Sequence, residues 1–499
     1  MNFLDRIFHL KEKNASIKNE IVGGIFTFIA MCYILPVNSS ILSDMGMDKA
    51  GVFAITAILS CVVTLIMGFI ANYPVTLSAG MGLNAYLAYT ISAQQGFTWH
   101  QCMILLTVAG LLFFLFSLTP IRRIIIESIP KDLKCIISAC LGGFVIFVGL
   151  KGSGIIVASG STLVTFGNFA DPSMLLGFLA VILALVLTFS KRKMLSSLAI
   201  PFAVFVAAIV GTVISSIMIG NGSIVFNDLT GVYEYNTGFT FIDNFGTVNL
   251  PIAPWISNPE WGFSGVDKVF LYGLLDSNST YNGNEFVADL SKVFTNPTTY
   301  IAIFSLMFVN LFDTTATLIA VSGSTGLIDD SGKMGNYRRA VIADATGALI
   351  CAPLGTSTVT SFVESNVGVS MGAKTGLAAV TSALLFLISG LAFPIFSIFT
   401  AGSVTVAALV AVGSIITING IKGVNKEDGI ACFTAVIAFM FAVLTYSISN
   451  GIGVGLFVYV TCMLIAGRGK EIKLPVYIVT ILFALAFALN TVINFLPRS

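Results

Sequence analysis

The sequence predicts an all-α polytopic membrane protein with two sets of seven spans in opposite orientation. Three observations predict it. Of 499 residues 56% are hydrophobic and only 10% charged, far from the quarter charged that soluble domains carry. The apolar runs are continuous and long enough to cross a hydrocarbon core of roughly 30 Å as helices of about 20 residues, which also excludes a barrel of alternating ten-residue strands. Lys and Arg recur at intervals between those runs, as they do in short cytoplasmic loops.

In order along the chain, 1–20 is a charged, mildly amphipathic stretch without a signal-peptide core and is expected to stay in the cytoplasm. Seven spans follow near 21–42, 51–71, 76–92, 100–119, 133–152, 173–190 and 196–219, then a long polar stretch over 220–298. Seven more lie near 299–321, 338–354, 358–372, 375–398, 403–420, 430–448 and 451–467, and a last apolar segment occupies 474–496. The count is therefore about fourteen, with 468–499 left over as a C-terminal apolar segment.

Orientation follows from the basic residues. Lys11, Lys13 and Lys18, Arg122 and Arg123, Lys191 to Lys193, Lys333, Arg338 and Arg339, and Arg468 and Lys470 all fall on one side if the amino terminus is inside. Loop 153–172 is almost free of positive charge, and 220–298, mostly acidic with Trp255 and Trp261, is expected outside.

Composition also excludes partners and chemistries. Lys plus Arg number 25 against 24 acids, so there is no basic field for nucleic acid. The eight cysteines sit in apolar segments without CxxC spacing, and read as small buried apolar residues. His9 and His100 are the only histidines and stand far apart, so no metal and no cofactor is expected. The stretch GLIDDSGKM has one residue too many for a phosphate loop and ends in Met.

Seven spans starting inside and seven starting outside are what an inverted-topology repeat requires. The halves echo each other: SACLGGFVIFVGLKGSGII in the fifth span is similar to VAALVAVGSIITINGIKGV in the twelfth. Each half also has a short third segment broken by Gly or Pro, YPVTLSAGMGLNAYLAY (73–89) and PLGTSTVTSFVESNVGVSMG (353–372). Both open with small and β-branched residues suited to extended chain and then turn helical. Broken segments at matching places point to a transporter's binding site, although the same glycines and serines also suit close helix packing.

Among 24 acids three fall within apolar spans, Asp313, Asp344 and Glu364, with no Lys or Arg in those spans beyond Arg338 and Arg339 at the start of the second. Together they oppose insertion by roughly 8 to 10 kcal/mol unless each has a function or a partner. Burial favours the protonated acid, so such a group can carry a proton. Asp344 lies six residues past Arg338 and has a structural alternative, an ion pair with Arg338 or Arg339. Carboxylates facing unpaired extended backbone make a site for a flat ligand rich in N–H groups, a description that a nucleobase fits. Asn84 in the first broken segment and Asn38 in the first span supply amides that fix its orientation, and Asn38 serves equally as a hydrogen bonder inside its helix.

The segments ANYPVTLSAGMGLNAY (71–86), FDTTATLIAVS (312–322), YRRAVIADATGAL (337–349) and GTSTVTSFVESNVGVSMGAKTGLAAV (355–380) together resemble the azaguanine-like branch, for hypoxanthine, guanine and adenine, of the second nucleobase-cation symporter family. The resemblance covers most of the chain outside 220–298. It implies a uracil-permease-like fold with short antiparallel strands in segments 3 and 10. It implies a core from the first four spans of each half (21–119 and 299–398) and a gate from the last three (120–219 and 399–467). It further implies proton-coupled import of a purine nucleobase across the plasma membrane by an elevator-like movement, and a homodimer. Carried over residue by residue, Asp313 and Glu364 contact the base, Asn84 is needed for function and Asp344 assists. The expected binding set is thus Asp313, Glu364, Asn84, Ser78, Val363 and Asn38, with Asp313, Glu364 and Asp344 for proton coupling.

The chain departs from the family at Ser78 and Ala79 before GMG, at Ala316, at Ser39 after Asn38, and at Ala373 and Lys374. These departures leave the acids intact and the particular purine open. The alternatives are an anion or carboxylate carrier, or a pyrimidine or xanthine carrier, on the same fold. An intramembrane enzyme lacks a nucleophile or metal constellation to go with the acids.

Overall fold

The structure is a computed structural model of the chain. It describes residues 3–119, 130–159, 163–191, 196, 198–227, 232–235, 250–252, 262–263, 265–274, 276, 281–325, 336–362, 364–445 and 448–495. The side chains of some helical residues, Asp313 among them, lie outside this description. So do Val363, Trp255, Trp261, Arg122, Arg123, Arg192, Lys193 and the whole GLIDDSGKM stretch with Lys333.

Apolar helices dominate because long runs without charge satisfy their backbone groups internally. Among the described residues six helices have the length and composition to cross a membrane: Ile17–Ser43, Lys49–Ala71, Trp99–Leu118, Asp132–Gly152, Ala199–Gly220 and Gly402–Gly423. Shorter apolar helices include Pro172–Thr188 and Gly429–Leu444. Side-chain caps start several of them: Asp48 accepts from Gly51 N, Thr98 and Gln101 form a capping box, and Asp171 precedes Pro172 at the first turn.

The first apolar run is two helices, Ile17–Met31 and Ile34–Ser43, which meet at Cys32 and Tyr33. The single span expected near 375–398 is instead a pair, Gly376–Gly390 and Phe393–Phe399, bent by 92°; Pro394 starts the second piece, where a missing N–H costs nothing. The last apolar segment is a helix, Leu474–Phe495.

The fold is helical but not purely so. Leu77–Ala79 pairs antiparallel with Val359–Ser361, in the register Leu77 to Ser361 and Ala79 to Val359. Two hairpins, Ile156–Ser159 with Leu163–Phe166 and Ile224–Asn227 with Val232–Tyr235, occupy stretches that hydropathy reads only as loops. Part of the polar stretch 220–298 is also ordered. Helix Gly283–Thr295 docks on Trp99–Leu118 through Gln101 Nε2, which donates to the buried Asp289 Oδ1 at 2.8 Å while Tyr281 donates to Oδ2 at 3.1 Å.

The two sequence halves interlock. Gly376–Gly390 packs against Lys49–Ile66 and Ile17–Met31, and Tyr337–Ile350 against Trp99–Leu118. Lys131–Gly152 lies along Gly402–Gly423 so closely that a Cβ at Gly413 would stand 2.6 Å from Gly142 O. Only glycine permits that approach, the small-residue packing used where lipid supplies no hydrophobic drive.

All eight cysteines are free, but only Cys61, Cys102, Cys140 and Cys351 are buried; Cys32, Cys135, Cys432 and Cys462 are partly exposed. The uniform burial expected of them does not hold, because an apolar helix facing lipid needs no protein cover. Glu20 adds a buried acid that hydropathy assigns to the polar amino terminus. It is fully enclosed, with Oε1 accepting from Lys374 N at 2.8 Å and Thr375 N at 3.2 Å at the start of Gly376–Gly390.

Candidate functional site

The two broken segments cross at their strands. Three-residue strands leave backbone groups unpaired at their ends, and side chains take them up. Thr64 Oγ1 accepts from Leu77 N at 2.9 Å and donates to Leu77 O. Gly80 N donates to Thr358 O at 3.0 Å and Phe362 N to Thr76 O at 3.2 Å, extending the pairing beyond both strands. Thr76 N is taken by Ser365 Oγ at 3.0 Å. Each strand then runs into a short helix, Met81–Ala85 after the first and Ser365–Ser370 after the second.

Ser78 is fully buried and its Oγ stands 2.8 Å from Ser60 Oγ, on the helix behind the strand. Asn84, on the short helix, is also fully buried; its Nδ2 reaches Asn38 Oδ1 at 2.5 Å. Asn38 Nδ2 in turn donates to Thr56 Oγ1 at 2.8 Å and Thr356 Oγ1 at 3.0 Å. Asn38 is therefore engaged at both ends of its amide by protein groups, Asn84 among them. Asn84 Oδ1 is buried without a hydrogen-bond partner among the described residues.

Glu364 occupies the N-cap position of Ser365–Ser370, and its side chain is half-buried rather than capping. Oε1 accepts from the Tyr33 hydroxyl at 3.0 Å. Tyr33, 2% exposed, stands at the bend between the first two helices, so a break in one half meets a break in the other. The sequence reading missed Tyr33; the available signal was a hydroxyl-bearing aromatic three residues before Pro36 in an otherwise apolar run.

Asp344 belongs to the strand crossing. It is fully buried, and Oδ1 accepts from Ser361 N at 2.8 Å and from Ser361 Oγ at 2.8 Å, while Oδ2 accepts from Thr314 Oγ1 at 2.7 Å. Arg338 and Arg339, the partners offered by the sequence, are both exposed. Helix geometry explains the difference: six residues is nearly two turns, which carries Asp344 about 9 Å inward from Arg338. Thr314 follows Asp313 on helix Pro297–Thr325, so that helix passes beside the crossing. The side chain of Asp313, and Val363 altogether, fall outside the described residues.

A cleft of about 490 Å³ opens elsewhere, lined among others by Ser40, Asp44, Lys49, Tyr89, Thr400 and Thr405. Tyr89 donates to Asp44 Oδ2 at 2.6 Å. Burial pushes the Asp44 carboxyl up, against the pull of the Tyr89 hydroxyl and the Lys49 charge. Among the described residues no group of three or more His, Cys, Asp or Glu could hold a metal ion.

The arrangement can present amide and carboxylate acceptors to a donor-rich ligand beside interrupted helices. The family model described as Permease family, the xanthine and uracil permeases, matches residues 18–454. The guanine/hypoxanthine permease PbuO of Bacillus subtilis (strain 168) is 34% identical over 479 residues, covering 96% of this chain and 98% of the relative. The adenine permease AdeQ of Escherichia coli (strain K12) is 32% identical over 490 residues, covering 97% and 96%. Among solved structures, the transmembrane domain of a cyanobacterium bicarbonate transporter, BicA, aligns with a TM-score of 0.54 at 13% identity, covering 87% of this chain and 97% of that one. SLC26A9 aligns at 0.56 and 12% identity, covering 92% of this chain and 66% of that one. At such identities the likeness is one of fold alone.

Proposed function

The chain belongs to the permease family, and from that premise we propose that this multi-pass membrane protein imports purine nucleobases of the hypoxanthine, guanine and adenine class together with protons. The observation that carries the reading is similarity over nearly the whole chain to guanine/hypoxanthine and adenine permeases, and the unpartnered amide oxygen of Asn84 accords with a cargo that donates N–H groups.

In this reading the fold is a seven-plus-seven inverted repeat of about fourteen spans, with the amino terminus cytoplasmic and 220–298 outside. The core (21–119 and 299–398) carries the crossed strands and moves against the gate (120–219 and 399–467) in an elevator-like step, and two copies form a homodimer. Asp313, Glu364 and Asn84 contact the base, with Val363 beside them. Asn38 and Ser78 hold the site's geometry through Asn84 and Ser60. Asp313 and Glu364 take up and release the proton. Asp344 supports them by fixing the strand that leads to Glu364.

Uptake of labelled hypoxanthine into proteoliposomes, with and without an imposed proton gradient, tests the proposal. Uptake should be driven by inward proton flow and be competed by adenine and guanine. Competition by bicarbonate or sulfate but not by purines would replace it with an anion carrier; competition by uracil or xanthine alone would replace the purine class.

A further inference from the structure

We propose that Asn84 is locked with its carbonyl oxygen, not its amino group, turned to the cargo. It thereby reads an N–H donor, and Asn38, Thr56 and Thr356 are the positioning residues that set this polarity. The inference rests on the reading above that the cargo is a nucleobase.

The argument follows single protons. Thr56 Oγ1 donates to Val52 O at 2.5 Å. A hydroxyl has one proton, so towards every other neighbour this oxygen can only accept. Thr356 Oγ1, 2.7 Å away, must therefore be the donor of that pair, and its proton is spent in turn. Asn38 faces both oxygens, at 2.8 and 3.0 Å. Only the NH₂ end of an amide can satisfy two acceptors, which turns Asn38 Oδ1 the other way. Asn84 meets that oxygen at 2.5 Å and so must offer its own NH₂. What remains of Asn84 is Oδ1, a buried acceptor with no partner among the described residues.

The four residues come from four segments: Ile34–Ser43, Lys49–Ile66, the short helix Met81–Ala85, and the approach to strand Val359–Ser361. All four are fully buried, and a buried polar chain with every proton assigned is rigid in its polarity. The Asn84 helix abuts Lys131–Gly152, where Gly82 lies against Leu141. A carbonyl oxygen there welcomes a ring or exocyclic N–H of a base and repels an anion such as sulfate, whose oxygens are all acceptors. Specificity of this kind is strong, because an analogue lacking the donor leaves the acceptor unpaired.

Hypoxanthine and its 1-, 7- and 9-methyl isomers, each of which replaces one N–H or blocks one ring nitrogen, are the probes. Half-saturation constants for uptake, with the isomers as competitors, are measured for wild type, Asn38→Leu, Thr56→Val and Thr56→Ser. Wild type should prefer hypoxanthine over at least one isomer by about tenfold or more. That preference should collapse in Asn38→Leu and in Thr56→Val, where the Thr356 proton is freed to turn to Asn38, and persist in Thr56→Ser, which keeps the hydroxyl. Ratios of constants do not depend on how much protein folds, so a poorly folding variant still reports. Unchanged ratios in Thr56→Val, or no discrimination by wild type, would overturn the inference alone. A wild type that takes up no hypoxanthine would overturn the purine reading and this inference with it.

Discussion

The Tyr33 hydroxyl donates to Glu364 Oε1 across 3.0 Å, joining residues 331 positions apart. It fixes the carboxylate at the mouth of Ser365–Ser370 and links the bend of the first helix pair to the second broken segment. Tyr33→Phe removes this bond without changing shape. Initial hypoxanthine uptake should fall about tenfold or more, the value of a hydrogen bond to a charged group. Glu364→Ala and Asp313→Ala should each abolish uptake while membrane insertion, followed by fluorescent tagging, stays normal. Near-normal uptake in both alanine variants would remove these acids from the site.

Asp344 is a support for the strand crossing, so its loss should be read in stability. In Asp344→Asn one carboxylate oxygen becomes an NH₂, so either the Ser361 donors or the Thr314 hydroxyl meet a donor where they had an acceptor. The cost should be about 2 kcal/mol or more, against about 1 kcal/mol for Ser361→Ala. Thermal unfolding of the purified proteins measures both, and equal melting temperatures for Asp344→Asn and wild type would contradict this role.

Helices Lys131–Gly152 and Gly402–Gly423 are held at backbone contact by glycines. Gly413→Leu forces a side chain where Gly142 O stands and should destabilise by about 1 to 3 kcal/mol or prevent folding. Gly429→Leu is the control, because a Cβ there meets nothing within 4 Å. The measurement is the yield of monodisperse protein in detergent.

Arg468 bonds Asp428 at 2.9 Å and Glu471 at 2.9 Å, outside the apolar helices. The guanidinium holds the Asp428 carboxyl below its ordinary 3.8. A depressed carboxyl contributes stability that is fully present above its unfolded value and is lost as pH falls through the folded one. The stability difference between wild type and Arg468→Ala should therefore be constant from pH 7 down to about 4 and shrink below that. Melting temperatures across this range check it; a difference that grew on acidification would reverse the assignment.

The helical membrane class was legible because hydropathy is a property of each segment alone. Acids in apolar spans stand out for the same reason: Asp344 and Glu364 were conspicuous before any contact was known. Tyr33, Thr56 and Thr356 were not, since hydroxyls are common in apolar segments. Only their distant partners distinguish them. Glu20 escaped notice because a charged stretch surrounds it, and its burial depends on the backbone of Lys374 and Thr375.

The amino-acid order by itself determined a chain of apolar helices broken at two matching places, because each helix closes its own hydrogen bonds from neighbouring residues. The tertiary structure alone decided that Asn38 faces Thr356, 318 positions away, and that Asp344 serves a strand rather than an arginine. Those choices follow from which segments cross, and a buried polar group takes whatever partner the crossing brings within reach.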